Sequence, residues 1–269
     1  MFTLKNATLE VELLDPIADS ARFGPRYCTG GYIFQVTDAA QGPLMSGPTF
    51  PDAFDWFNGQ GIPDAFNLAP LKAAEGDTAM ILGIGLCDLK KNVIVEPCQW
   101  QVEQGENQIK FTTQHTFEDW SVELVRVVKL INRTIRSETE VRNTGKRFLP
   151  ISWFPHPFYP HPTTDELLKL NIPVSFGKST GYVQAESGFI ARKDWPWSGG
   201  HYQALDHGAT NSLVVIQRHP TLGQVTATCS YVPTFFPIWG NTITFSWEPF
   251  FERTVAPGQG ASWTIDYDF

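Results

Sequence analysis

Two residues of this chain have the type and the setting for proton transfer, Glu248 and His156. Glu248 closes the run Thr242-Ile-Thr-Phe-Ser-Trp-Glu248-Pro249. Threonine and bulky apolar residues there predict a strand, and strand parity puts Phe245 and Trp247 on one face, Ser246 and Glu248 on the other. A carboxylate so placed is either a lone solvated charge or the working group of a cleft. His156 stands in Trp153-Phe-Pro-His156-Pro-Phe-Tyr-Pro-His161. The prolines hold this backbone extended and restrict its motion, which aims the imidazole in one direction. Histidine is the side chain best suited to exchange protons near neutral pH; the plainer reading is a histidine capping an aromatic cluster.

Other chemistries find little support in the spacing. There are six histidines, but His156 and His161 fall on opposite faces of an extended segment, His201 and His207 share a loop with Asp206, and none forms H-x-H or H-E-x-x-H. No metal or other cofactor is therefore expected. Cys28, Cys87, Cys98 and Cys229 include no C-x-x-C pair and are too scattered for a disulfide scaffold, so packing is their expected role. Thr29-Gly30-Gly31 lacks the helix and lysine of a phosphate loop, and no G-x-S-x-G elbow is present.

The elements that would carry these groups are strands. At 269 residues, with 42% hydrophobic and 18% charged residues, the chain has material for one large core and no signature of disorder. Threonine, valine and aromatic runs alternate with Gly, Pro, Asn and Asp clusters. The expected strands cover residues 3–14, 31–36, 79–86, 93–95, 98–103, 108–115, 121–131, 134–143, 149–154, 211–218, 223–230, 242–247 and 262–268. Asn132-Arg133 is read as a two-residue hairpin link. Residues 165–170 form the one helix-like patch, and 180–208 read as irregular. The 41–71 stretch predicts a long loop, packed down by its own Phe and Trp, that forms either a pocket wall or a plain surface cover. Aromatic clusters in loops, Phe54-Asp-Trp-Phe57 and Trp195-Pro-Trp197, are candidate platforms for a sugar ring, whose C–H faces and hydroxyls suit aromatics beside Asp, Asn and Gln.

A net charge of −8 without a Lys/Arg run argues against nucleic-acid and anionic-membrane partners. No apolar run reaches the ~20 residues of a spanning helix, and the N-terminal residues lack the pattern of a signal peptide. A cytoplasmic location is the expectation; the oligomeric state is left open.

Taken in order, Trp153-Phe-Pro-His156-Pro-Phe-Tyr, Leu205-Asp206-His207, Phe245-Ser-Trp-Glu248-Pro-Phe and the closing Pro257-Gly-Gln-Gly-Ala-Ser-Trp263 resemble the galactose mutarotase-like superfamily of aldose 1-epimerases. Arg126-Val-Val-Lys-Leu followed by Ser137-Glu-Thr-Glu-Val-Arg-Asn143 resembles its central hairpin. The resemblance spans the chain from about Phe23 to the C-terminus. It implies an all-β fold, a large antiparallel twisted β-sandwich in one domain, with a sugar cleft on one face. It also implies that His156 acts as acid and Glu248 as base in opening a pyranose ring, and that Asp206 binds a sugar hydroxyl. Where many members carry a second histidine, the 51–71 stretch has none. Gln60, Asp64 and Asn67 are the polar residues able to replace it, Arg22 or Arg26 is expected to approach the sugar, and Trp153 to contact it. Two readings follow: an epimerase acting on an aldose or a derivative, and a non-catalytic carbohydrate-binding or sensing domain of the same fold.

Overall fold

Alternating burial along the longest strands decides the architecture. In Trp120–Ile131 every second side chain from Trp120 to Leu130 is buried, and Thr134–Asn143 and Gly260–Asp268 follow the same two-residue rhythm. Such strands can bury one face only, so they assemble antiparallel with the other face toward water. The computed structural model describes residues 1–208 and 212–269; Asn211, expected to open a strand, lies outside the described residues.

One layer is a ten-stranded sheet in the order Trp100–Gln104, Gln108–Phe117, Trp120–Ile131, Thr134–Asn143, Gly260–Asp268, Gly223–Cys229, Val214–His219, Glu166–Leu170, Ile190–Arg192 and Tyr182–Gln184. The strands that carry the site belong to two smaller sheets. The first joins Phe251–Val255, Leu149–Pro155 and Asp64–Ala65; the second joins Tyr159–Pro160, Thr244–Trp247, Phe236–Gly240, His201–His207 and Val174–Ser175. Among the described residues every strand pairing is antiparallel. Large aromatics join the layers: Trp263 packs on Phe251 at 4.2 Å and on Trp153 at 5.2 Å, and Tyr267 stacks on Trp247 at 6.2 Å. Rings of this size bury more apolar area per residue than any other side chain and dominate such a core.

Most expected strands are present. The hairpin link forms at Asn132-Arg133, with Ile131 paired to Thr134 and Asn132 at φ 53°, a left-handed conformation that asparagine tolerates better than most residues. Three expectations are corrected. Residues 165–170 are not helical: Glu166–Leu170 is a strand inserted between Ile190–Arg192 and Val214–His219, burying Leu167, Leu168 and Leu170. Sheet pairing overrides a weak local helix preference there. Residues 180–208 contain three strands, the last of them His201–His207. The 79–86 run splits into Thr78–Ile81 and Gly85–Asp88 around a turn at Gly83, whose φ is 71°. Among the described residues the single helical element is the 3-10 turn Ser20–Arg22, and no helix is long and apolar enough to cross a membrane. All four cysteines are free thiols, and Cys28, Cys87 and Cys229 are buried.

Candidate active site

His156 follows directly on the strand Leu149–Pro155, and two backbone bonds fix its position. Its N–H donates to Pro63 O at 2.8 Å, and the Phe158 N–H donates to Gly61 O at 2.8 Å. Strand parity turns Phe154 and His156 to the face opposite Trp153, where both are buried and line a cavity. Glu248 follows Thr244–Trp247, and its N–H donates to Pro237 O at 2.9 Å. Ser246 lies opposite Trp239, and Trp239 lies opposite Tyr202, so Tyr202, Trp239, Ser246 and Glu248 share one face of the five-stranded sheet.

These groups converge on a cavity of about 370 Å³, at the small end of the ~300–1,000 Å³ usual for ligand pockets. Its walls are Phe154, Phe158, Trp239 and Tyr202 on the strand side, and Arg26, Pro48, Phe57 and Asn58 opposite, with His156 and Glu248 between them. Phe57 and Tyr202 are 53% and 56% exposed, so they offer apolar ring surface at the mouth. The 41–71 stretch is thus a pocket wall. Its tip is a tight turn built by Asp55, whose carboxylate accepts from the N–H groups of Phe57 and Asn58 at 2.8 and 2.9 Å. The turn is seated by Trp56, whose ring lies across Gly24, where an added Cβ would fall 2.1 Å from Trp56 Cδ2. Gly24→Ala is expected to displace Trp56 at a cost of about 1–3 kcal/mol, as overpacking does, and to weaken ligand binding through the shifted turn. Urea unfolding and titration with ligand check the two effects.

Burial sets the electrostatics. His156 and Glu248 are 4% and 9% exposed, and Nε2 of His156 lies 3.4 Å from Oε1 of Glu248. Nδ1 of His156 lies 2.6 Å from Ser246 Oγ. Burial, reinforced by the positive charge of Arg26, holds His156 well below the ordinary imidazole range. Burial raises the Glu248 carboxyl to about 7, with Arg26 opposing the rise. Both shifts favour the uncharged forms, a neutral imidazole on His156 and a protonated carboxyl on Glu248.

Behind the site lies a buried ion pair. Arg126 Nη1 donates to Asp64 Oδ1 at 2.9 Å, a second bond joins Nη2 to Oδ2, and Arg126 is 1% exposed. Burial raises the Asp64 carboxyl against the pull of Arg126. Burial also works against the Arg126 charge, but Asp64 outweighs it and holds the guanidinium proton on. Because Asp64 pairs with Pro155, the ion pair is one residue removed from the His156 backbone.

Of the residues expected at a sugar site, His156, Glu248 and Arg26 meet in the cavity. Arg26 stacks over Tyr27 and Phe57 and donates to Phe57 O. Six others are placed elsewhere. Trp153 is 2% exposed in the core beside Trp263 and Tyr231; the parity that turns His156 to the cavity turns Phe154 there instead. Asp64 is taken by Arg126. Arg22 lies over Phe34 and Phe54 beside Asp19. Gln60 is buried beneath the loop, its N–H donating to Tyr32 Oη at 3.1 Å. Asp206 shares the sheet face of Tyr202 but is solvent-exposed on the flank paired with Ser175, outside the cavity. Asn67 is half-buried and likewise outside it. Trp195 and Trp197 pack on His161 and form no platform here. Tyr202 and Trp239 also line the cavity and Ser246 meets the His156 ring, and no sequence motif marks them beyond the alternation in His201–His207 and the S-x-E spacing.

No family model matches the chain, and no curated protein matches it by sequence. Solved structures do match. A galactose mutarotase related enzyme from Lactobacillus acidophilus superposes with a TM-score of 0.66 at 13% identity, covering 99% of this chain and 96% of that one. The chain has the galactose mutarotase-like fold. A galactose mutarotase-like protein from Lactobacillus casei matches with a TM-score of 0.57 at 13% identity over 100% and 99% of the two chains. An aldose epimerase homologue from C. elegans matches with 0.54 at 12% identity over 99% and 97%. The likeness is thus to the whole β-sandwich, and at these identities it is a likeness of fold.

Proposed function

We propose that the protein is an aldose 1-epimerase-like isomerase that interconverts the anomers of a sugar by acid–base ring opening. The observation that carries this reading is the His156–Glu248 pair, 3.4 Å apart at the base of an aromatic-walled cavity. Opening a cyclic hemiacetal requires a proton on the ring oxygen and removal of one from O1. Both oxygens are bonded to C1, so one acid and one base side by side can serve them. The pair needs one shared proton. The partner that holds it gives it to the ring oxygen, the other takes the O1 proton, and rotation about C1–C2 followed by closure returns both to their starting state. Aromatic rings at the mouth suit the C–H faces of a pyranose, and Arg26 and Asn58 suit its hydroxyls. Four free cysteines accord with a cytoplasmic setting, where thiols stay reduced.

The pH dependence follows from the pair. Below about 7 it carries the one proton the reaction needs, and the second proton enters only well below the ordinary imidazole range. Activity is expected to hold across the weakly acidic range and to fall as pH rises through about 7, where the proton is lost. Polarimetry on a panel of common aldoses, repeated across pH, tests the proposal. Acceleration with that profile supports it. Sugar binding without acceleration of any aldose would favour the non-catalytic binding domain instead.

A further inference from the structure

The strand that delivers Glu248 also delivers the atom at the far side of the His156 ring. Ser246 and Glu248 are two residues apart on one strand face, so a single backbone element meets both imidazole nitrogens, Oγ at Nδ1 and Oε1 at Nε2. Resting on the epimerase reading above, we propose that Ser246 is a positioning residue: it holds the hydrogen of neutral His156 on Nδ1 so that Nε2 is the nitrogen that exchanges protons with the sugar.

The reaction requires this tautomer. Whichever way the shared proton moves, the neutral imidazole in the cycle must present a lone pair at Nε2, and its remaining hydrogen must then sit on Nδ1. A buried N–H without an acceptor is costly, and Ser246 is fully buried with Oγ 2.6 Å away. A hydroxyl has two lone pairs and one hydrogen. It accepts from Nδ1–H while the pair holds its proton, and it turns to donate to Nδ1 once the proton is lost and Nε2–H faces the Glu248 carboxylate. A carboxylate in its place would add a charge beside the ring, whereas serine follows the change of tautomer and adds none. The ring cannot easily turn away from this partner, because Phe158 packs on it at 4.3 Å and Trp239 abuts its edge at 6.2 Å. The titratable groups facing the ring are Glu248 on the same strand face as Ser246, Arg26 and Tyr27 from the segment after the 3-10 turn, and Tyr202 across the cavity, with the Asp64–Arg126 pair behind Pro155.

The test reads the tautomer directly. Ring 15N resonances of His156, assigned by comparison with His156→Gln, are recorded on the wild-type protein and on Ser246→Ala, alongside anomerisation kinetics. Below pH 7 the wild-type ring should show a protonated Nδ1 and a bare Nε2. Ser246→Ala should move the hydrogen to Nε2 and lower kcat roughly 10–100-fold, the loss typical when a group that orients a working histidine is removed, with KM little changed and Ser246→Thr restoring part of the rate. A wild-type ring protonated at Nε2 below pH 7 would overturn the proposal, as would a Ser246→Ala variant that keeps both tautomer and kcat. The wild-type spectrum decides even if Ser246→Ala fails to fold. Absence of anomerisation in every protein would defeat the epimerase reading alone, because the spectra still report whether Ser246 sets the tautomer.

Discussion

Glu248→Gln is expected to reduce anomer interconversion by roughly 10²–10⁴-fold, the range that general acid–base groups supply, while leaving the protein folded. The carboxamide keeps the shape of the side chain but cannot exchange a proton with O1 or the ring oxygen. His156 then has no partner for the second half of a concerted transfer. Stability should move the other way. A carboxyl raised to about 7 in the folded state binds its proton more tightly than in the unfolded chain, so ionising it at higher pH works against folding. Above pH 7 the glutamine variant should therefore unfold at higher urea concentration than wild type, and below the ordinary carboxylate range the difference should vanish. A variant both inactive and less stable at pH 9 would mean that Glu248 is a structural residue.

Arg126→Met is expected to cost about 3–5 kcal/mol, the usual loss on stranding one member of a buried ion pair, measured by urea unfolding at neutral pH. The substitution leaves the Asp64 carboxyl buried beside Pro155 with its two guanidinium bonds gone. Adding Asp64→Leu to the same variant should recover much of the loss, because no uncompensated charge then remains. A single variant that unfolds like wild type would show that the pair contributes little to the fold beneath His156.

The fold and the placing of His156 and Glu248 in one cavity were legible in the sequence for a shared reason. Strand alternation is a local signal, and Ser246 and Glu248 had to lie on the face opposite Phe245 and Trp247 wherever the strand was placed. The prolines around His156 likewise act through local backbone geometry. What resisted reading depends on pairing across the chain. Trp153 stood in the right motif, yet the sheet that buries it in the core turns Phe154 to the cavity instead. Asp64 had the chemistry of a hydroxyl ligand, but Arg126, 62 positions later, occupies it. Glu166–Leu170 looked helical until its two neighbouring strands were known. Tyr202 and Trp239 face each other across strands that were not recognised, so their shared face could not be inferred. The direction in which the two groups shift was also beyond reach, since it follows from burial that only the assembled cavity creates.

The central claim is that His156 and Glu248 together open a sugar ring. Magnetisation exchange between the α and β anomer signals of an accepted aldose, followed by NMR with wild type and Glu248→Gln at pH 6 and pH 9, tests it most directly. Fast exchange with wild type at pH 6, slower exchange at pH 9 and none above background with the variant is the predicted result. Equal exchange with wild type and Glu248→Gln, or the same background rate with both, would contradict it.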